Sequence, residues 1–206
     1  DWMRGYPQEL EDFIDAILRK RKPNVDVILG HAGGLRRSDP DCIPALLGNS
    51  VLGQSTLSSR LGRRVREQEG LTYGIVSRFF GASLVDGPWA VSFSIGAENL
   101  DRALVLVREE IACLRDEGPS ETESDDERHA WAGAYQVALA SPTALARELV
   151  RLARHSRPLA EIDELPAAIL ATETAVIAAA TREHIRPDRL SIAVAGTLID
   201  HQEAGG

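Results

Sequence analysis

The stretch that decides the fold runs from Ser58 to Tyr73 and reads SSRLGRRVREQEGLTY. An apolar residue stands at every fourth position from Leu57 to Val65, which predicts a short basic helix with one buried face. Gly70 predicts the end of this helix, because glycine adopts the left-handed backbone conformation at low cost. Apolar residues then alternate with small or polar ones as far as residue 80, which predicts a strand.

Two polar side chains, Arg66 and Tyr73, flank the predicted turn. Arg66 falls near the helix end, and Tyr73 falls on the adjoining strand. A guanidinium and a phenol hydroxyl held across one turn are suited to bind a carbonyl oxygen or a peptide backbone. The alternative is structural, with a surface arginine and a half-buried tyrosine that pack the junction. Spacing by itself favours this alternative, because motifs this short match by accident.

Several motifs occur together around this turn. They are Asn49-x-x-Leu52-Gly53, Ser59-Arg60-Leu61, Arg66, Glu69-Gly70-Leu71 and Tyr73. As a set they resemble the second half of the pitrilysin-type zinc metallopeptidases, the family that includes insulysin and the mitochondrial processing peptidase. The resemblance runs from about Asn24 to Asp200 and includes two later segments, Leu165–Ile169 and Arg189–Gly196.

The resemblance implies a division of labour between two similar domains or chains. One half carries an inverted zinc motif, H-x-x-E-H, and the other contributes an arginine and a tyrosine seven residues apart. Arg66 and Tyr73 have this spacing, so they are the implied catalytic pair, in contact with the substrate backbone and the transition state. The implied substrate contacts are Gly53, Gln54, Arg60, Gly70 and Leu71. At Gln54 the chain departs from the family, which often has a second glycine there.

The chain itself lacks the pattern of an inverted zinc site, which needs two histidines four residues apart on one helix. None of the histidines has such a partner: His31, His129, His155, His184 and His201. Glu183-His184 keeps a fragment of the motif, but Ala180 stands where the first ligand belongs. We therefore predict no metal site in this chain, and the resemblance implies zinc on the partner half. No nucleophile-elbow pattern supports Ser-His-Asp catalysis.

Composition excludes several classes of function. The 206 residues carry 23 Lys and Arg against 31 Asp and Glu, so the net charge of −8 argues against nucleic acid or an anionic membrane as partner. No apolar run approaches the roughly 20 residues of a membrane span. The two cysteines, Cys42 and Cys113, do not have the spacing of a disulfide scaffold or of a cysteine metal site. Five acids between Glu121 and Glu127 are expected to begin a solvated helix rather than bind a cation. The chain is expected to be soluble, in the bacterial cytoplasm or periplasm.

The remaining periodicities predict the order strand, helices, strand, strand, helix or helices, strand. The predicted strands are Val25–Gly30, Leu71–Phe80, Trp89–Ile95 and Leu190–Val194, and the predicted helices after the first strand begin near Asp39, Ser58, Asn99, Asp125, Pro142, Leu159 and Glu173. This order is that of an α+β fold with a mostly antiparallel sheet of split β-α-β (ferredoxin-like) type and helices packed on one face. We expect a helical lead-in over residues 1–23, one peptidase-like domain over residues 24–200 and a flexible tail over residues 201–206.

These motifs lead to one functional hypothesis with two rivals. The chain is expected to be the C-terminal-type, non-zinc half of a metalloendopeptidase, which binds an extended peptide together with a zinc-bearing N-terminal-type domain or subunit. The first rival is a non-catalytic scaffold or peptide-binding subunit of the same fold. The second is an unrelated split β-α-β binding domain. In isolation the chain is expected to cleave nothing and to form a homodimer through the surface that faces its partner.

Overall fold

The computed structural model describes residues 24–55, 58–81 and 87–197. The predicted lead-in helix, Leu57 of the basic helix and the predicted tail lie outside the described residues. The strands are β1 (Asn24–His31), β2 (Ile75–Phe79), β3 (Trp89–Gly96) and β4 (Ser191–Ala195). The α-helices are α1 (Cys42–Asn49), α2 (Leu100–Glu117), α3 (Glu121–Leu139), α4 (Pro142–Arg154), α5 (Glu161–Leu170) and α6 (Thr174–His184). Shorter helical segments span Ser50–Gln54, Gly62–Gln68, Ala97–Asn99 and Pro187–Arg189.

The four described strands form one antiparallel sheet in the order β2-β3-β1-β4. Val27 of β1 lies opposite Phe93 of β3 and Val194 of β4, and Phe93 lies opposite Ile75 of β2. The two central strands are thus the first and third in the chain, which is the strand order of a split β-α-β fold. The predicted α+β class and the antiparallel hairpin of β2 and β3 are confirmed.

One face of the sheet is covered and the other is open. Along β1 the residues Val25, Val27 and Leu29 are buried, whereas Ile28 between them is 52% exposed. The covered face packs against α2 and the basic helix through side chains that include Leu61, Val65, Val107, Ile111 and Leu114. A second cluster joins the helices through Leu47, Ala132, Leu165, Ile169 and Ile177. The prediction that helices pack on one face is confirmed.

The starts of α1 and α3 differ from the predicted residues for reasons that their hydrogen bonds show. The helix α1 was predicted to begin near Asp39, but the Asp39 carboxylate accepts the Arg36 backbone N–H (2.8 Å) in a turn, and α1 begins after Asp41. The helix α3 begins four residues earlier than predicted, because Ser120 and Glu123 form a reciprocal capping box. The acids of this region therefore lie within the first turns of α3, where the helix dipole favours negative charge.

None of the described helices is long and apolar enough to cross a membrane by itself. The segments Glu161–Leu170 and Thr174–Arg189 meet the length and composition criteria only when taken together, across a bend of 97°. Both segments bury apolar side chains within the protein, such as Ile169 and Ile177. This burial is typical of core helices.

His31 joins the end of β1 to the segment that leads into β4. Its side chain is 5% exposed and stacks on the Trp89 ring at 5.2 Å between centroids. Its Nε2 accepts the Arg186 backbone N–H (3.1 Å), so Nδ1 carries the proton and donates it to the Ala32 carbonyl (2.9 Å). Burial lowers the pKa of His31 below its usual value, although the hydrogen bond to Ala32 acts in the opposite direction.

We expect the free energy of unfolding to decrease as the pH falls below about 6.5, because the unfolded chain then binds a proton that folded His31 does not. Since the folded-state pKa is the lower one, this contribution is complete above the unfolded pKa and is lost as the pH falls towards the folded pKa. Urea unfolding at about pH 7.5 and about pH 5.5 measures the change. In His31→Gln the change should shrink, while His129→Gln, at an exposed histidine, should keep it. Equal changes in all three proteins would contradict the assignment.

Candidate functional site

The basic helix, Gly62–Gln68, ends in a tight turn that carries the chain towards β2. Two nested backbone hydrogen bonds close it, from Gly70 N–H to the Arg66 carbonyl (3.2 Å) and from Leu71 N–H to the Val65 carbonyl (3.0 Å). Gly70 has a φ of +63°, in the left-handed region that favours glycine. The prediction of a glycine stop at this position is confirmed, and the turn fixes the direction of the chain on either side of it.

Glu69 fastens this turn to the rest of the protein. Its carboxylate forms ion pairs with Arg102 of α2 and with Arg64 of the basic helix, the latter at 3.6 Å. The Glu69 side chain is only 16% exposed, but the Arg102 side chain is 62% exposed, so solvent screens this ion pair. The end of the basic helix is therefore tied to α2 as well as to its own preceding turn.

Tyr73 lies in a bend before β2, which corrects the prediction that it belongs to the strand. The reason is the Thr72 hydroxyl, which donates to the Ser94 carbonyl (2.7 Å) and accepts the Gly74 backbone N–H (3.3 Å). This side chain takes the place of ladder hydrogen bonds, so pairing with β3 begins only at Ile75. Thr72 is buried, and the residue after it is turned outwards.

Arg66 and Tyr73 both present donors that the described part of the chain does not use. The Tyr73 side chain is 95% exposed, and its hydroxyl has no hydrogen-bond partner among residues 24–55, 58–81 and 87–197. Arg66 is partly buried, and its guanidinium makes no ion pair or hydrogen bond within the same ranges. The neighbouring Arg63 and Arg64, in contrast, bind Glu123 and Glu69. As far as the described residues show, the turn thus holds an unpaired planar cation on one side and an unpaired hydroxyl on the other.

Gly53 and Gln54 lie together at the end of the Ser50–Gln54 segment, but in different surroundings. Gly53 is buried, and a Cβ at this position would stand 2.6 Å from Ser77 Oγ and 2.9 Å from Leu61 Cδ1. Only glycine allows this close approach to β2. Gln54 is exposed beside it. The glycine therefore sets the position of the loop, and the glutamine faces solvent.

Asn49, the first residue of the motif Asn49-x-x-Leu52-Gly53, has a structural role in this fold. Its side chain is 2% exposed and joins α1 to the sheet. Oδ1 accepts the Trp89 indole N–H (2.8 Å), and Nδ2 donates to the Ser77 carbonyl (3.1 Å). The Ser77 hydroxyl donates in return to the Asn49 carbonyl (3.3 Å). These buried bonds hold the Gly53 loop against β2.

Arg60 binds the start of α3 rather than facing open solvent. Its guanidinium forms a two-point ion pair with Glu123 (2.7 and 2.8 Å) and donates to the Gly118 carbonyl (3.2 Å). The Arg60 side chain is only 15% exposed. The hydrogen bond from Arg60 lowers the pKa of Glu123 to about 2, so the carboxylate is ionised at neutral pH. Arg60 therefore anchors the basic segment to α3.

Among the described residues, no three His, Cys, Asp or Glu side chains lie close enough to hold a metal ion. The fragment Glu183-His184 is divided between different partners. His184 Nε2 lies 2.5 Å from Asp41 Oδ2, and Glu183 forms an ion pair with Arg186 (3.3 Å). These contacts connect α6 to the start of α1 and to the segment that leads into β4.

Comparison with known proteins gives one clear family. A model of the peptidase M16 inactive domain matches residues 4–130, more than half of the chain. A crystal structure of a peptidase M16 inactive domain from Pseudomonas fluorescens is similar, with 28% identity and a TM-score of 0.79 over 87% of this chain and 42% of that chain. No curated protein matches the sequence.

Two solved proteases share the fold at lower identity. The periplasmic protease PqqL from Escherichia coli has a TM-score of 0.66 and 19% identity, over 84% of this chain and 19% of that one. The ferredoxin protease FusC, solved in complex with Arabidopsis ferredoxin, has a TM-score of 0.68 and 13% identity, over 87% of this chain and 20% of that one. The chain thus spans less than half of the Pseudomonas chain and about a fifth of these two.

Proposed function

The chain belongs to the peptidase M16 inactive-domain family, and we propose that it acts as the C-terminal-type half of a zinc metalloendopeptidase. In this role it supplies Arg66 and Tyr73 to an active site that a zinc-bearing N-terminal-type domain or subunit completes. The observation that carries the proposal is a pair of donors without partners among the described residues, the Arg66 guanidinium and the hydroxyl of the 95% exposed Tyr73. Both lie on a turn held in place at Glu69, Gly70 and Thr72.

The two side chains suit different parts of a peptide. The Tyr73 hydroxyl can donate one hydrogen bond to the oxygen of the scissile carbonyl as negative charge develops on it. The Arg66 guanidinium has several donors in one plane, which suits neighbouring carbonyl oxygens of the peptide backbone. Both groups are fixed through the backbone of the same turn, so they need little reorganisation when a peptide arrives.

We propose that the peptide lies extended beside the beginning of β2. This strand stands at the edge of the described sheet, where an added strand can pair with its backbone. Asn49 already occupies the Ser77 carbonyl, so the free part of the edge is the end near Tyr73 and Ile75. A substrate bound there would pass directly in front of the exposed phenol.

The other residues of the motifs divide into contacts and supports. Gln54 and Gly70 are exposed, and we propose them as substrate contacts. Gly53 and Leu71 are packed against the core, and Arg60 is paired with Glu123. We propose that these three act by holding the contact residues in place.

We propose that the partner half binds the zinc, because the sequence of this chain lacks the H-x-x-E-H motif and the family model that matches it is that of an inactive domain. The open face of the sheet around Ile28 is the surface proposed to face that half. The FusC structure contains a ferredoxin, and a whole protein in such a complex favours long polypeptides as the substrates proposed for this chain. Homodimer formation by the isolated chain through the same face stays a prediction.

Reconstitution tests the proposal. The chain and the H-x-x-E-H-bearing domain of the same or a neighbouring gene product are purified separately and assayed on a peptide library, alone and mixed. We expect cleavage only in the mixture, with about one zinc per pair, and no cleavage when the partner's H-x-x-E-H histidines are replaced. Stoichiometric zinc bound by the 206-residue chain alone would reverse the assignment of the halves, and an inactive but stable complex would favour the scaffold rival.

A further inference from the structure

A cavity of about 320 Å³ opens among α1, α3, α4 and α5. Its walls are mainly apolar and include Ile43, Leu46, Trp131, Leu165 and Ile169. Leu165 and Ile169 belong to the buried helical cluster, while the other three side chains are only partly buried and so face the opening. The volume lies at the lower end of the range for small-molecule sites, which are typically apolar with a few polar groups.

The polar wall of the cavity carries more positive than negative charge. The Glu148 carboxylate in this wall accepts one hydrogen bond from the Tyr135 hydroxyl (2.7 Å) and two from the Arg151 guanidinium (2.6 and 2.8 Å). The bond from Arg151 lowers the pKa of Glu148, and Arg37 acts in the same direction, so this carboxylate is ionised and its charge is already balanced.

Arg37 is the cation of this wall that forms no ion pair with a carboxylate of the described residues. Arg37 is partly buried at the cavity, where its positive charge acts against the rise in the pKa of the Cys42 thiol that burial causes, and it makes no ion pair within the described ranges of the chain. Arg151 is paired with Glu148 and Glu161 (3.1 Å), and yet its buried Nη1 has no hydrogen-bond partner in the part of the chain that the structure describes. A buried donor of this kind is unfavourable unless an acceptor satisfies it. The polar wall of the cavity therefore has hydrogen-bond donors and a positive charge that an added anion would satisfy.

We propose that this cavity binds a small apolar carboxylate. The apolar body would pack against Trp131 and Leu46, and the carboxylate would lie against Arg37. An aryl or medium-chain acid of about ten heavy atoms fits the volume and both kinds of wall. None of the lining residues belongs to the turn that carries Arg66 and Tyr73, so the proposal does not depend on the proposed peptidase function.

Calorimetric titration of the full chain with 3-phenylpropionate and with its neutral amide tests the proposal. We expect saturable binding of the acid, quenching of Trp131 fluorescence, and an affinity at least about tenfold above that of the amide, because only the acid forms a charge-assisted bond. Arg37→Gln should remove this preference and leave amide binding unchanged. Arg154→Gln, a matched loss of charge outside the cavity, should change neither affinity.

A second variant addresses the apolar wall. Leu46→Phe adds bulk inside the cavity and should weaken the acid and the amide alike, while circular dichroism shows that both variants remain folded. The proposal is overturned if neither ligand binds below about 10 mM. It is equally overturned if the acid and the amide bind alike, or if Arg37→Gln and Arg154→Gln have the same effect.

Discussion

Replacing Tyr73 with phenylalanine is expected to lower kcat of the reconstituted peptidase on the order of a hundredfold to a thousandfold, with little change in KM. The phenol donor is proposed to act on charge that exists only in the transition state, so its loss should weaken substrate binding much less than turnover. Tyr73 is 95% exposed, so the variant should also unfold at the same temperature as the wild type.

Arg66→Lys should lower kcat/KM by about tenfold or more, because a single ammonium cannot reproduce the planar set of donors. Two variants serve as matched controls. Tyr135→Phe removes a phenol hydroxyl at a distant helix, and Arg108→Lys changes an exposed arginine on α2. Neither should alter turnover, and steady-state kinetics with the zinc-bearing half compares all four variants.

Two patterns of result separate the hypotheses. If Tyr73→Phe and Arg66→Lys leave turnover unchanged in a correctly formed complex, the pair is structural and the scaffold rival is favoured. If Tyr73→Phe raises KM and leaves kcat unchanged, its hydroxyl contributes to ground-state binding instead of to the transition state. Thermal melts of each complex exclude a loss of folded protein as the cause.

Alternation in the sequence was sufficient to predict the sheet. The alternation in β1 is typical of a strand with one covered face, and its apolar residues lie on that face: Val25, Val27 and Leu29. The beginning of β2 could not be predicted in this way, because the same alternation continues through Leu71 and Tyr73 before pairing begins. Pairing begins late because the Thr72 hydroxyl donates a hydrogen bond to the Ser94 carbonyl, which is 22 residues away along the chain.

The sequence marks the start of α3 with a capping motif, which a search for apolar periodicity does not detect. Ser120 is followed three residues later by Glu123, which is the sequence form of a capping box. The prediction instead placed the start at Asp125, where the acidic run meets the apolar stripe. A cap should therefore be given more weight than the first apolar residue when both are present.

The candidate site was only partly predictable, because arginines of similar sequence surroundings have different partners. The glycine stop at Gly70 indicated that Arg66 and Tyr73 flank a turn, and they do. Arg60 carries the same chemistry, but it is paired with Glu123, which is 63 residues away in sequence. Such a pairing depends on how α3 packs, and it therefore follows from the fold rather than from the local pattern.

The largest loss of stability is expected at Asn49. Replacing it with alanine removes the partners of the Trp89 indole N–H and the Ser77 carbonyl, both inside the core. Each buried group left without a partner costs about 1–3 kcal/mol, so Asn49→Ala should lower the free energy of unfolding by about 3 kcal/mol. Urea unfolding of the full chain measures this change, and an intact m-value shows that the variant still unfolds in one step.

A matched control and a double-mutant cycle assign the loss to the network. Asn99→Ala, at the residue before α2, removes an amide that makes no capping bond and, among the described residues, only a long contact to Glu98 (3.4 Å), so it should cost less than about 0.5 kcal/mol. Combined with Trp89→Phe, Asn49→Ala should cost less than the sum of the single changes, because the phenylalanine has no N–H left unpaired. Full additivity would mean that the two side chains do not interact energetically. A coupled loss would show that Asn49 joins the end of α1 to β3 through the Trp89 indole. The same side chain also donates to the Ser77 carbonyl of β2, the strand whose edge is proposed to receive the peptide.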